Sequence, residues 1–232
     1  MNQRLSIVLP VYNQADHIGP IVEEYVHAFE NVQNPCEFLL VVNGCRDASL
    51  GVCNALAERF SPVRVVHSER GGWGLAVRLG LEAATGDILC YTNSARTSAR
   101  DLVLLTLYAV ANPGAAIKAH RRSRESFTRR AGSFLYNFEC RVLFDLPTWD
   151  INATPKVFYR DLYEKMAFTQ DGDLIDVEFY AEAKRLDAPI LEVPIYSKAR
   201  HGGASTTNFR SAYRMYAGAW RLARARRARE AG

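Results

Sequence analysis

The chain has no CxxC pair, no low-complexity linker, no internal repeat and no apolar run long enough to cross a bilayer. Its five cysteines, Cys36, Cys45, Cys53, Cys90 and Cys140, are odd in number and irregularly spaced. That pattern suits reduced thiols and excludes a disulfide framework or a paired-cysteine zinc site. The longest apolar run, Leu102–Ala111, is roughly half of what a spanning helix needs. No basic start and cleavage site precede the first strand-like segment. The expectation is a cytoplasmic protein that touches a membrane, if at all, peripherally on its inner face.

What is present is a core. Of 232 residues, 48% are hydrophobic, enough for one α/β domain and too many for global disorder. The net charge of +4 is unevenly spread. From Arg200 onward there are eight arginines and one acid, Glu230, so the preceding residues are slightly acidic on balance. The organisation expected is a domain over residues 1–200 followed by a basic amphipathic helical extension over 201–232.

Short β-branched runs alternate with helical patterns. Strands are expected at Leu5–Val11, Phe38–Val42, Val63–His67 and Asp87–Tyr91. Helices are expected at Asp16–Glu30, Leu50–Phe60, Leu75–Ala84 and Leu102–Ala111. A fifth strand precedes Lys118, Arg121 and Arg122. The remainder reads as helix at Thr128–Phe144, strand at Pro155–Tyr159, helix at Asp176–Leu186 and strand at Pro189–Pro194. This alternation gives an α/β fold with a mostly parallel central sheet and helices on both faces. In such sheets ligands bind beyond the carboxyl ends of the strands. Polar turns fall there: Pro10, Tyr12 and Asn13 after the first strand, Asn43 after the second, Thr92, Asn93 and Ser94 after the fourth.

Several segments taken in order resemble the family 2 glycosyltransferases, above all the polyprenyl-phosphate sugar synthases of the dolichyl-phosphate mannose type. Ser6-Ile7-Val8-Leu9-Pro10-Val11-Tyr12-Asn13 is similar to the family's opening strand, with Gln14 where Glu is usual. Gly72-Trp73-Gly74 through Gly80, then Ala84-Thr85-Gly86-Asp87, resembles its glycine turn, helix and strand entry, with Trp73 where Lys is common. Asp150 through Phe158, the acidic run Asp173–Glu178, Leu191-Glu192-Val193-Pro194-Ile195 and Gly203-Ala204-Ser205 follow in the family's order. The resemblance implies the GT-A fold and transfer of a sugar from a GDP- or UDP-linked donor to a polyprenyl phosphate-like or other acceptor, with inversion.

Two departures bear on chemistry. The family's Asp-Asp-Gly-Ser-x-Asp run reads Val42-Asn43-Gly44-Cys45-Arg46-Asp47, so only Asp47 survives. Its Asp-x-Asp reads Thr92-Asn93-Ser94, without a carboxylate. Mg²⁺ and Mn²⁺ want charged oxygen ligands, and Asn93 or Ser94 would be weak ones. Three outcomes stay open: diphosphate stabilisation without a metal, a metal held through the diphosphate, or a pocket without turnover.

The implied donor residues are Pro10, Tyr12, Asn13, Asn43, Asp47, Gly72, Gly74, Arg78, Asn93 and Ser94. Tyr12 is suited to lie beside a base, Asn43 to read its edge, and the glycine turn to let backbone approach a ligand. Phosphate or acceptor contacts are expected from Arg121, Arg122, Lys156, Arg200 and Ser205. Asp176 is the candidate general base, with Asp173 as its competitor. Dipole-favoured acids at a helix start are the plain alternative for that run. In the tail, Phe209, Tyr213, Tyr216, Trp220 and Ala223 share one helical face among arginines, which suits anionic lipid or docking on the core. No nucleic-acid module accompanies the arginines. A Rossmann oxidoreductase is disfavoured, because no GxGxxG follows the first strand. The main rival to an enzyme is a GT-A-like protein that binds sugar nucleotides without turning them over.

Overall fold

The computed structural model describes residues 3–121, 127–195 and 209–230, with side chains at 3–121, 134–195 and 215–225. Among these residues seven strands form one sheet: β1 Leu5–Val11, β2 Cys36–Asn43, β3 Val63–Ser68, β4 Ile88–Tyr91, β5 Ala116–Arg121, β6 Lys156–Tyr159 and β7 Ile190–Ile195. The helices are α1 Ile18–Phe29, α2 Ser49–Arg59, α3 Trp73–Ala83, α4 Ala99–Ala111, α5 Phe127–Phe144, the single turn α6 Arg160–Tyr163, α7 Ile175–Arg185 and α8 Phe209–Glu230.

The spatial order is β3-β2-β1-β4-β6-β5-β7. All pairings are parallel except those of β6, which runs antiparallel to both β4 and β5. The chain leaves β1 toward β3 on one side and returns to β4 on the other. The β1–β4 boundary is therefore the point where strand order reverses and crevices open.

Strand periodicity divides the core. Ile7, Leu9, Phe38 and Leu40 face one layer with Tyr25, Leu102 and Leu105. Val8, Leu39 and Val41 face the other with Val77, Tyr91, Phe158 and Phe179. Helix α3 lies so close to β1 that a Cβ at Gly80 would stand 2.2 Å from a Val8 methyl.

At the amino-terminal end of the sheet, the Glu37 carboxylate accepts from Ser6 Oγ (2.6 Å), Thr85 N (2.7 Å), Thr85 Oγ1 (2.7 Å) and Arg64 (2.7 Å). Burial pushes this carboxyl upward, but the hydrogen bonds outweigh it and bring it down to about 2.

Boundaries differ from the sequence reading where caps decide them. Helix α4 starts at Ala99, not Leu102, because Ser98 Oγ accepts from Asp101 N at 3.1 Å. Lys118 and Arg121 lie inside β5 rather than after it, since the strand continues through its charged residues to pair with β7.

Candidate active site

The polar turns at the carboxyl ends converge, and hydrogen bonds stitch them together. After β1, Asn13 Oδ1 accepts from Arg46 N (2.9 Å), and Ala15 N donates to Asp47 (3.1 Å). Asn13 holds φ +49°, a left-handed conformation that Asn tolerates. Gln14 N donates to Ser49 Oγ, and Gln14 Oε1 accepts from Ser94 Oγ at 3.0 Å, linking the ends of β1 and β4. Asp47 also accepts from Ser49 N at 3.1 Å. Burial works against this carboxylate, but its hydrogen bonds with Ser49 and Ala15 outweigh it and hold it below its ordinary range.

Asn43 is a buried clamp. Its Nδ2 donates to the carbonyls of Val11 (3.0 Å) and Val41 (3.3 Å), and its Oδ1 accepts from Gly72 N (2.9 Å). It fastens the end of β1 and the turn before α3 to the end of β2 and does not line the cleft, which differs from the expectation that it reads a base edge. Gly44 follows at φ +59°, where a Cβ would meet Gly71 Cα at 2.7 Å.

Around this clamp opens a cavity of about 390 Å³. Tyr12, Gly44, Cys45 and Arg46 line one side, and His67, Ser68, Glu69 and Gly71 the other. Tyr12 stands out from the turn after β1 with 47% of its surface exposed. Sequence reading missed Arg46, His67 and Glu69 as lining residues. The available signal was their position at the ends of β2 and β3.

The glycine turn has a partner within the protein. Cβ atoms at Gly72 and Gly74 would stand 2.4 Å from Asp171 O and 2.2 Å from Gln170 O. Leu75 N donates to Asp171 O at 3.0 Å. Arg70 and Arg78 both pair with the Asp171 carboxylate at 2.8 Å. The close approach expected toward a ligand is made by residues 170–172, so Gly72, Gly74 and Arg78 are engaged with that loop. Glu178 supports the loop from behind, accepting from Thr169 N (2.9 Å), Thr169 Oγ1 (2.6 Å) and Gln170 N (3.0 Å).

Asp176, in the first turn of α7, is buried beneath the end of β4. It accepts from Trp73 Nε1 (3.2 Å), Tyr91 OH (3.0 Å) and Lys156 Nζ, the last a close ion pair. Trp73 thus supplies a neutral donor where the family commonly has a lysine. Burial lowers the Lys156 ammonium, and Asp176 pulls it back up. Asp173 lies in the exposed turn before α7.

A second set of charges surrounds β5. Arg121 grips Asp150 with Nε (2.8 Å) and a terminal nitrogen (2.6 Å). The fully buried Lys118 pairs with Glu192 at 3.2 Å and donates to Thr148 and the Trp149 carbonyl. Burial pushes Lys118 down to about 8, with Glu192 working the other way. Arg122, Arg200 and Ser205 lie outside the described residues.

The residues at the Asp-x-Asp position do not suit a protein-held divalent cation. Thr92 Oγ1 bonds Thr97 Oγ1 (2.7 Å), Asn93 Oδ1 accepts from Ala95 N (3.1 Å), and Ser94 Oγ donates to Gln14. All three oxygens are neutral and already engaged, whereas hard cations want carboxylates. Among the described residues no group of three or more His, Cys, Asp or Glu could hold a metal ion. Nor is any described helix long and apolar enough to cross a membrane.

Known proteins resemble the chain as follows. Residues 6–167 match the family model described as glycosyl transferase family 2. The glycosyltransferase AglD of Haloferax volcanii is 28% identical over 203 residues, which is 82% of this chain and 32% of that protein. An undecaprenyl-phosphate 4-deoxy-4-formamido-L-arabinose transferase of Serratia proteamaculans is 24% identical over 71% of this chain and 51% of its own. The chain spans about a third to a half of the length of these relatives. Among solved structures, glucosyl-3-phosphoglycerate synthase from Mycobacterium tuberculosis, in complex with Mn²⁺, UDP-glucose and phosphoglyceric acid, superposes with a TM-score of 0.74 at 17% identity. That match covers 95% of this chain and 79% of that one.

Proposed function

We propose, from the premise that this chain belongs to glycosyl transferase family 2, that it moves a sugar from a nucleoside-diphosphate donor to a lipid-linked acceptor of the polyprenyl phosphate kind. The observation that carries the reading is the 390 Å³ cavity beside Tyr12, built at the carboxyl ends of β1, β2 and β3. The base lies against the Tyr12 ring, and the sugar extends toward the ends of β4 and β6. The solved neighbour with bound UDP-glucose makes a UDP-sugar the first donor to test, with GDP-sugars next.

Transfer is a single displacement with inversion. The acceptor oxygen bonds to the anomeric carbon as the bond to the diphosphate breaks, and the electron pair leaves with the nucleotide. A phosphate acceptor arrives ionised, so it needs no base. A hydroxyl acceptor must lose its proton, and the exposed Asp173 is the candidate to receive it, because Asp176 is buried in its pair with Lys156. Charge building on the diphosphate is met by cations of the chain. Arg46 lines the cavity, and Arg122, Arg200 and Ser205 remain candidates from the sequence. No step is routed through a metal, because the Thr92-Asn93-Ser94 oxygens do not suit one.

The deciding assay incubates the purified chain with labelled UDP- or GDP-sugars and a polyprenyl phosphate, with EDTA and with Mn²⁺. Product formed in EDTA supports the reading. Nucleotide binding without either transfer or donor hydrolysis under any condition replaces it with the rival, a sugar-nucleotide binding protein.

A further inference from the structure

The cavity at the ends of β1, β2 and β3 holds two charged side chains that the protein leaves unanswered. Arg46 and Glu69 both line it, and both are exposed. Neither side chain is paired among the described residues. Their charged neighbours are engaged elsewhere. Arg70 pairs with Asp171 at 2.8 Å, and Asp47 accepts from Ala15 N and Ser49 N.

The backbone that carries Glu69 is nonetheless fixed. Ser68 Oγ accepts from Arg70 N (3.2 Å) and donates to Arg70 O (3.0 Å), which closes the turn after β3 around Glu69. Gly44 N donates to Ser68 O at 2.9 Å. A Cβ at Gly44 would meet Gly71 Cα at 2.7 Å, so the turn after β2 presses on this one from the side. The Tyr12 ring leans toward the same wall, and a Cβ at Gly71 would stand 3.9 Å from its Cε2. One cavity thus joins an aromatic face to an unpaired carboxylate two residues from the glycine it leans on.

A carboxylate in a site for a diphosphate is repelled by the phosphates and must face something that donates. Strand β3 is the sheet edge, three strand spacings or about 14 Å from β4, toward which the sugar extends. Glu69 therefore stands at the end of the cavity where the base lies. An ionised carboxylate accepts hydrogen bonds and donates none. Uracil offers one N–H between two carbonyl oxygens. Adenine and cytosine each offer an amino group beside a bare ring nitrogen. Each of these sets a lone pair against the second carboxylate oxygen. Guanine offers its ring N1–H and its 2-amino N–H side by side, which match both oxygens in a charge-assisted pair.

We infer that Glu69 reads the guanine edge, so that the donor carries GDP. The inference rests on the sugar-nucleotide reading above and narrows it to one base. Tyr12 supplies a face that any base can use, and Glu69 supplies the choice. Arg46, on the other wall, is left for the phosphates.

The test is calorimetric titration of GDP, IDP, UDP, ADP and CDP into the wild-type chain and Glu69→Ala, each in EDTA and in Mn²⁺. IDP is GDP without the 2-amino group. GDP should bind the wild type at least about tenfold more tightly than UDP, ADP or CDP, the size of a hydrogen-bonded contact to a charged group, and IDP should fall between. In Glu69→Ala the preference should collapse, with GDP weakened about tenfold to the level of the others. Its thermal melt should match wild type, because the side chain is exposed. A wild-type preference for UDP, equal affinity for all five, or a loss in Glu69→Ala shared equally by every base overturns the inference and leaves the cavity as a donor site. Failure of all five to bind the wild type removes the donor site itself, and the inference with it.

Discussion

The two halves of the strand-end surface use similar residues for opposite ends. Around β1, β2 and β3 the polar turns clamp one another and leave a cavity between them. Around β4, β5 and β6, Asp176, Asp150, Lys156, Lys118 and Arg121 are buried or nearly so and tied in ion pairs. The first half has room for a ligand. The second has charges that are costly to bury and must be answered in place. A charge near a strand end is therefore a binding group in one region and a fastening in the other, and the difference lies in what faces it.

The largest expected break in this contrast is Lys156→Met. It leaves Asp176 as a buried carboxylate without its cation and should cost about 3–5 kcal/mol in urea unfolding. Adding Asp176→Asn should recover part of that loss, since the uncompensated charge is gone. Equal stability of Lys156→Met and wild type would place these charges in the freely binding class.

Next is Gly74→Ala. Its Cβ would press on Gln170 O at 2.2 Å, and overpacking of this kind costs about 1–3 kcal/mol. A fall in melting temperature of about 3–10 °C is expected. An unchanged melt would mean that loop 170–172 does not rest on the turn.

Tyr12→Ala probes the open half. It should leave stability unchanged and weaken UDP or GDP binding about tenfold, the size of one aromatic stacking contact. Calorimetry and a melt on the same sample separate the two readouts.

The pH-dependent effect belongs to Glu37, far from the cavity. Its folded carboxyl lies at about 2 against an ordinary 4.5. The stability it contributes is complete above 4.5 and fades as pH falls toward 2. Melts across that window should show the decline, and Glu37→Gln should flatten it. An identical acid slope in the variant would remove Glu37 as its source.

The fold was legible because buried strands announce themselves as β-branched runs and helices by their period. The antiparallel course of β6 was not, since Lys156–Tyr159 reads the same in either direction. The site was legible as a set of positions and much less as a set of partners. Asn43 sits 29 residues from Gly72, and Asp176 is 103 residues from Trp73. Nothing local in the chain says that these groups will meet. Glu178 similarly reads as one acid among several until its hydrogen bonds to Thr169 and Gln170 are seen. Arg46 stands at the unspecified position of the run after β2 and Glu69 in no motif, so neither is marked by the sequence although both flank the same turns.

The most direct measurement is calorimetric titration of UDP and GDP into the wild-type chain and Tyr12→Ala, each in EDTA and in Mn²⁺. One nucleotide should bind the wild type in EDTA with about the affinity seen in Mn²⁺, and Tyr12→Ala should weaken it about tenfold under both conditions. Binding that vanishes in EDTA, or that ignores the loss of Tyr12, would contradict a base-first, protein-metal-free site in the cavity between β1, β2 and β3.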